Sequence, residues 1–297
     1  MKRFFPYLLL SLVWLTACSP KPESNSILMT ATTQPVPLSS PTPGQGIPPE
    51  FQGKLKLFIL GGQSNMSGRG KVPETWQHTN PRIFVFGNDY QWKLAEEPID
   101  NAAGQIDKVS EDLDAGFSPA MSFAERLLEL DPTMLIGLIP CAKNSVSISA
   151  WDRNTAVTSL YGSCLNRIRQ ASQMGTPAGI LIYQGETDAS DPHLYPDKGI
   201  IPPDLWASKF SGLVQNWRTD LAFPNLPVVF AQLATNGDPK SFINWEAIKQ
   251  QQASVKLPFC RMIKTDDLAV VDGVHLSIEG YMELGRRFAD AYLNLIK

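Results

Sequence analysis

The chain has 297 residues, 43% hydrophobic and 19% charged, which is enough apolar content for a full-sized core and excludes global disorder. Lys and Arg number 26 against 29 Asp and Glu, a net charge of −3. No basic excess exists to coat a phosphate backbone, so nucleic acid is excluded as a main partner, and the single long apolar run, at the N-terminus, excludes a multi-span membrane protein.

That run follows Lys2 and Arg3, spans Phe4 to Trp14 and is too short to cross a bilayer, the pattern of an export signal. It ends in Leu15-Thr16-Ala17-Cys18, which resembles a bacterial lipobox. Residues 1–17 are therefore expected to be cleaved off, leaving Cys18 to carry a lipid anchor at the cell envelope. Residues 19–50 hold eight Pro, five Ser and four Thr and are predicted to be a tether, because such a stretch buries too little apolar surface to offset its ordering entropy. Residues 51–297 form the predicted globular domain. Cys141, Cys164 and Cys260 remain after Cys18, so at most one disulfide forms in a monomer. With no CxxC pair and three His in the chain, no metal site is expected.

Within the globular part, Leu55–Leu60, Met134–Ile139, Gly179–Tyr183 and Pro227–Leu233 read as buried strands, and Ile83–Phe86 and Cys260–Ile263 as weaker ones. Helical patterns cover Pro119–Leu130, Val157–Met174, Pro203–Leu221, Phe242–Val255 and Ile278–Ile296, the last with Ser277 as its N-cap. The alternation predicts an α/β fold with a central parallel sheet and helices on both faces. Residues 87–117 are polar and read as a long excursion over the surface.

Ligands in such sheets sit beyond the carboxyl ends of strands, and small polar residues collect there. Gly61 to Gly68 (GGQSNMSG) follow the first strand, Gln184 to Asp188 (QGETD) follow a later one, and Asp272-Gly273-Val274-His275 precede the last helix. Ser64, in a strand-to-helix turn, is a candidate nucleophile with backbone N–H groups beside it for an oxyanion. Its base must be one of His78, His193 and His275. His275 is favoured, since Asp272 lies three residues earlier in one short loop and can hold the ring's tautomer.

Ser64 in GQSNMSG, QGETD at 184–188 and Asp272 with His275 in DGVHL resemble the motifs of the SGNH-type sialate O-acetylesterase and carbohydrate acetylesterase family. Residues 54–297 agree with its plant-type branch through LFILGGQSNMSGRG, PAMSFAERL, GLIPCA, Ser147-Ile148 with Trp151, and ILIYQGETDA. The resemblance implies a three-layer flavodoxin-like fold and no cofactor. It implies Ser64 as nucleophile, His275 as base and Asp272 as its orienter, with Glu186 as an alternative acid. It also implies an oxyanion hole from the Ser64 N–H, a backbone N–H in the Gly116–Ser118 turn and the Gln184 amide. Gln63, Asn65, Glu186, Asp188 and Trp151 are substrate-pocket candidates, and Trp76, Trp92 and Trp206 candidates to frame a sugar.

Two departures stand out. Ser118 replaces a Gly usual before the Pro of the second block, and Asn144-Ser145-Val146-Ser147 replaces a Gly-Gly-Thr-Ser run. Neither removes a catalytic side chain. The expected function is a serine esterase that removes O-acetyl groups from carbohydrate through an acetyl-serine intermediate. A glycan-binding lapsed enzyme and an esterase or thioesterase for longer acyl chains are the alternatives.

Overall fold

A computed structural model describes residues 46–297; the signal segment, Cys18 and the linker as far as residue 45 lie outside the described residues. Seven strands form one sheet: β1 (Leu55–Gly62), β2 (Ile83–Phe86), β3 (Trp92–Leu94), β4 (Ile136–Pro140), β5 (Gly175–Tyr183), β6 (Val228–Ala231) and β7 (Cys260–Ile263). Six α-helices accompany them among the described residues: α1 (Ser64–Ser67), α2 (Ala120–Leu130), α3 (Leu160–Ala171), α4 (Trp206–Asp220), α5 (Trp245–Ser254) and α6 (Ile278–Ile296).

The spatial order is β3-β2-β4-β1-β5-β6-β7, parallel throughout except for the antiparallel pair β2–β3. The five strands β4-β1-β5-β6-β7 carry the flavodoxin-like order 2-1-3-4-5, and β2 and β3 extend it at one edge. The chain leaves β1 for β4 on one side and returns to β5 on the other. The switch point therefore lies between β1 and β5, which pair in parallel along Leu55–Gly62.

Both faces of the sheet are covered, so its strands are apolar runs without alternation. On one face α2 packs on α6, and Phe58 meets the rings of Phe123 and Tyr292 edge-on at 4.8 and 5.1 Å. On the other, Trp217 of α4 sits between Trp151 and Tyr161, and Phe210 lies 4.6 Å from Phe230 of β6. Helix starts follow local chemistry: Ser159 accepts from the Gly162 N–H and Ser277 from the Gly280 N–H. The Ser159 cap is why α3 begins at Leu160, later than the apolar pattern from Val157 suggests.

Residues 87–117 correct the expected surface excursion. Trp92–Leu94 adds an edge strand, and Asn88, Asp100, Gln105, Ser110, Asp112 and Phe117 are buried. Much of their polarity is met internally, although Asp100 Oδ2 and Gln105 Oε1 are buried without a partner. Arg167 of α3, fully buried, donates to Asn88 Oδ1, to the Pro140 carbonyl, to Asp107 at 2.7 Å and to Ser110 at 3.1 Å. The packed part also starts earlier than residue 51. Ile47 is buried and Pro49–Phe51 form a 3-10 turn, so the last residues of the expected tether belong to the domain.

Candidate active site

Ser64 stands at the carboxyl end of β1, as the first residue of α1, on the switch point. The turn that presents it needs glycine at two places. At Gly62 (φ +123°) an added Cβ would lie 2.0 Å from the Tyr183 carbonyl oxygen, so β1 and β5 approach this closely only with a hydrogen there. At Gly68 (φ +88°) a Cβ would fall 2.3 Å from the Phe117 oxygen. The Met66 and Ser67 N–H groups both bond the Gln63 carbonyl, while the Ser64 N–H, at the head of the turn, bonds no acceptor among the described residues.

The structure brings Ser64 and the DGVH loop together. His275 Nε2 lies 3.0 Å from Ser64 Oγ, and His275 Nδ1 lies 2.7 Å from Asp272 Oδ2. Asp272 also accepts from its own loop, its Oδ1 taking the His275 N–H at 2.8 Å and the Val274 N–H at 3.3 Å. Ring and carboxylate thus form one unit whose Nε2 faces the hydroxyl, a geometry suited to drawing the proton from Oγ. Burial pushes the Asp272 carboxyl up, but the hydrogen bonds from the His275 ring and amide outweigh it and hold the group below its ordinary value. The other two histidines are elsewhere: His78 is exposed and pairs with Glu125, and His193 sits in an exposed loop.

These groups open on a cavity of about 200 Å³ lined by Gln63, Ser64, Asn144, Ser145, Glu186 and His275, with Tyr195, Lys198 and Phe242 among its other walls.

A model of the family described as carbohydrate esterase, sialic acid-specific acetylesterase, matches residues 54–294. The chain belongs to this family. An Arabidopsis thaliana protein described as a probable carbohydrate esterase is 30% identical over 277 residues, 85% of this chain and 96% of the relative. The X-ray structure of an Arabidopsis protein superposes with a TM-score of 0.69 at 27% identity, covering 81% of this chain and 98% of that one. The structure of NanS shares the fold at a TM-score of 0.61 and 15% identity, over 82% of this chain and 98% of that one. The protein is a carboxylic ester hydrolase of the carbohydrate-acetylesterase type.

Several expected site residues of the esterase have other work. The Gly116 N–H donates to the Gly68 carbonyl at 3.0 Å and the Phe117 N–H to that of Gly70 at 2.7 Å, so neither points at an oxyanion. Ser118 is buried, gives its hydroxyl to Glu97 at 2.9 Å and turns its backbone N–H to the same carboxylate. Gln184 is also buried, and its amide donates to the Val146 carbonyl at 2.9 Å and, at 3.2 Å each, to Gln63 Oε1 and Asp188 Oδ2. It supports the 144–148 turn from behind and does not line the cavity. Of the proposed oxyanion donors, the Ser64 N–H remains.

The turn that does line the cavity is Asn144–Ser145, tied to β1 by the Lys143 N–H on the Gly62 carbonyl at 3.1 Å. Ser145 has φ +53°, a left-handed conformation, at the second position of the departed Gly-Gly pair. The sequence signal for this turn was that departure.

Among the pocket candidates, Gln63 and Glu186 line the cavity. Asp188 does not; it holds the Ile148 N–H at 3.1 and 2.9 Å through its two oxygens. Burial pushes Glu186 and Asp188 up to about 7 each. Trp151 and Trp206 are core, packed on Trp217 and Phe210, and Trp76 lies against Phe117. Trp92 belongs to the edge strand. The aromatic rings at the cavity are Tyr195 and Phe242, whose loops carry no motif that marks them.

Glu186 does not reach His275. Its Oε1 accepts from Asn65 Nδ2 at 2.8 Å, which leaves Asp272 as the acid on the imidazole. Asn65, the last pocket candidate, is fully buried and does not line the cavity. Nearby, Asp112 receives two bonds from Arg69, at 2.8 and 3.0 Å, and one from Ser67 at 2.8 Å, so the 87–117 segment braces the Ser64 turn. Cys141, just past β4, is disulfide-bonded to Cys164 of α3, and Cys260 has no disulfide partner among the described residues.

Proposed function

We propose that the esterase cleaves O-acetyl esters of a sugar through an acetyl-Ser64 intermediate, with His275 as general base and acid and Asp272 as its orienter. The observation that carries this reading is the continuous contact from Asp272 through His275 to Ser64 at the mouth of a small cavity. Ser64 Oγ attacks the acetyl carbonyl while His275 Nε2 takes its proton. The tetrahedral oxyanion meets the Ser64 N–H, and the Ser145 N–H, which bonds no acceptor among the described residues, is the second donor on the same cavity. His275 returns the proton to the departing sugar hydroxyl, and water activated by the same nitrogen then releases acetate.

A cavity of about 200 Å³ suits an acetyl group and part of one sugar ring, which speaks against long acyl chains. Tyr195 and Phe242 offer apolar faces to a ring, and Lys198 offers a cation to a sugar that bears a carboxylate. The intact triad contacts speak against a lapsed, purely binding protein. The test is acetate release from acetylated sialic acid, pectin, xylan and peptidoglycan, with Ser64→Ala as control. Turnover of at least one, fastest on the acidic sugars and reduced at least about 1,000-fold by Ser64→Ala, is expected. No acetate from any of the four would sink the proposal.

The lipobox at Leu15–Cys18 adds that the enzyme is exported and held at the envelope membrane by a lipid on Cys18. The Cys141–Cys164 disulfide supports an oxidising compartment. Labelled fatty acid is expected to enter the wild type and not Cys18→Ser; equal labelling of both would refute the anchor.

A further inference from the structure

Asn65 follows the nucleophile in sequence, is fully buried, and has every hydrogen-bonding position of its amide filled. Nδ2 donates to Glu186 Oε1 at 2.8 Å and to the Val274 carbonyl at 3.0 Å. Oδ1 accepts from the Leu276 N–H at 3.2 Å and from the Tyr281 hydroxyl at 2.9 Å. Val274 and Leu276 flank His275. The residue after Ser64 therefore grips the backbone on both sides of the imidazole that works on Ser64.

Asp272 cannot supply this restraint. It lies in the same loop as His275 and bonds the loop's own amides, so it fixes the ring relative to the loop and leaves the loop's distance from Ser64 open. The Gly237 N–H on the Gly273 carbonyl, 2.9 Å, ties the loop to the neighbouring 237 turn, away from Ser64. On the nucleophile's side the backbone of the loop is held by Asn65.

We propose that Asn65 is a positioning residue that holds His275 in register with Ser64, and that Glu186 acts through it by fixing which way the Asn65 amide faces. This rests on the Ser64–His275 esterase reading. An amide turned over by 180° would set Oδ1 against Glu186 Oε1 and the Val274 carbonyl, and Nδ2 against the Leu276 N–H, buried mismatches on both sides of the amide. Glu186 serves with one oxygen. Oε1 is the acceptor, and Oε2 is buried without a partner. Glutamine keeps that acceptor and leucine removes it. The imidazole touches Ser64 at 3.0 Å, and a misplacement of about 1 Å at such a contact costs about 100-fold in rate.

The experiment compares Asn65→Asp, Glu186→Leu, Glu186→Gln and the double variant Asn65→Asp/Glu186→Gln on a chromogenic acetate ester, with Tm recorded for each. Asn65→Asp keeps the acceptor for Leu276 and Tyr281 but turns an oxygen toward Glu186 and Val274. Its kcat is expected to fall about 100-fold with KM changed less than about threefold. Glu186→Leu is expected to follow it, while Glu186→Gln retains kcat within about threefold. In the double variant the new amide at position 186 donates to the new carboxylate at position 65, reversing the native bond, and kcat is expected to recover about tenfold over Asn65→Asp. Wild-type kcat in Asn65→Asp, a loss carried by KM, or equal losses for leucine and glutamine at Glu186 would each overturn the clamp. If Asn65→Asp does not fold, the Glu186 pair carries the decision. Ser64→Ala runs alongside. Full activity there refutes the esterase mechanism, and the clamp is then judged by the crystal structure of Glu186→Leu. A Ser64 Oγ to His275 Nε2 separation at least about 1 Å longer than in the wild type supports it, and an unchanged separation overturns it.

Discussion

At the scale of single residues, the choice between two acids on the imidazole turns on reach. Asp272 shares a loop with His275 and meets Nδ1, whereas the Glu186 carboxylate is occupied by Asn65. Asp272→Asn removes the charged acceptor that holds the working tautomer, so a large loss of kcat is expected. The side chain of Asp272 is 54% exposed, and water replaces part of what the carboxylate supplies. The expected drop is therefore about 100- to 1,000-fold, short of the roughly 10⁴-fold seen when a buried triad acid is amidated. Steady-state kinetics on an acetate ester with the folded variant check this. Near wild-type turnover would remove Asp272 from the triad. The contact among Ser64, His275 and Asp272 was legible in the sequence because Ser64 follows a strand in a Gly-flanked turn, base candidates are few, with three His in the chain, and D-x-x-H is a local pattern. Asn65 was not. Its partners stand 121 to 216 residues away in the chain, and nothing adjacent to it announces them.

Among the elements, those with a local cause came out where the pattern placed them. The strands Ile83–Phe86 and Cys260–Ile263 and the helix Ile278–Ile296 match residue for residue, since apolar runs and a Ser277 cap act over a few positions. The 87–117 segment failed the same reading for a physical reason. Its polar residues look solvated, yet they are buried by pairing with Arg167, 57 to 79 residues further on. The oxyanion turn failed likewise. Gly116 and Phe117 carry the right backbone groups, but the strand-like contact with Gly68 and Gly70 uses them. Both cases share one origin. Donor and acceptor inventories are local, whereas their satisfaction is decided by tertiary neighbours. The same segment, through Asp112 on Arg69 and Ser67, stiffens the turn that carries Ser64, so an insertion that resembles decoration contributes to the site.

For the whole molecule, the buried acids set how stability depends on pH. Burial pushes Glu97 up to about 8, Asp100 to about 6, and Asp188 and Glu186 to about 7. The unfolded chain releases these protons at ordinary carboxylate values, near 4, while the folded protein keeps them. Between about pH 4.5 and 8 the native state therefore binds more protons than the unfolded state, and stability falls as pH rises through that window. Carboxylates held low by arginines, such as Glu129 and Asp267 at about 2, act in the opposite sense but only below about pH 4, and as exposed groups they act weakly. The molecule is expected to be most stable near pH 5. Its Tm should be lower at pH 8.5 than at pH 5.5, by at least about 5 °C at about 2–4 °C per kcal/mol for a domain of this size. Calorimetry across pH 5 to 9 on one preparation tests this trend. A Tm that is flat or rises from pH 5.5 to 8.5 would show that the four acids are already ionised in the folded protein.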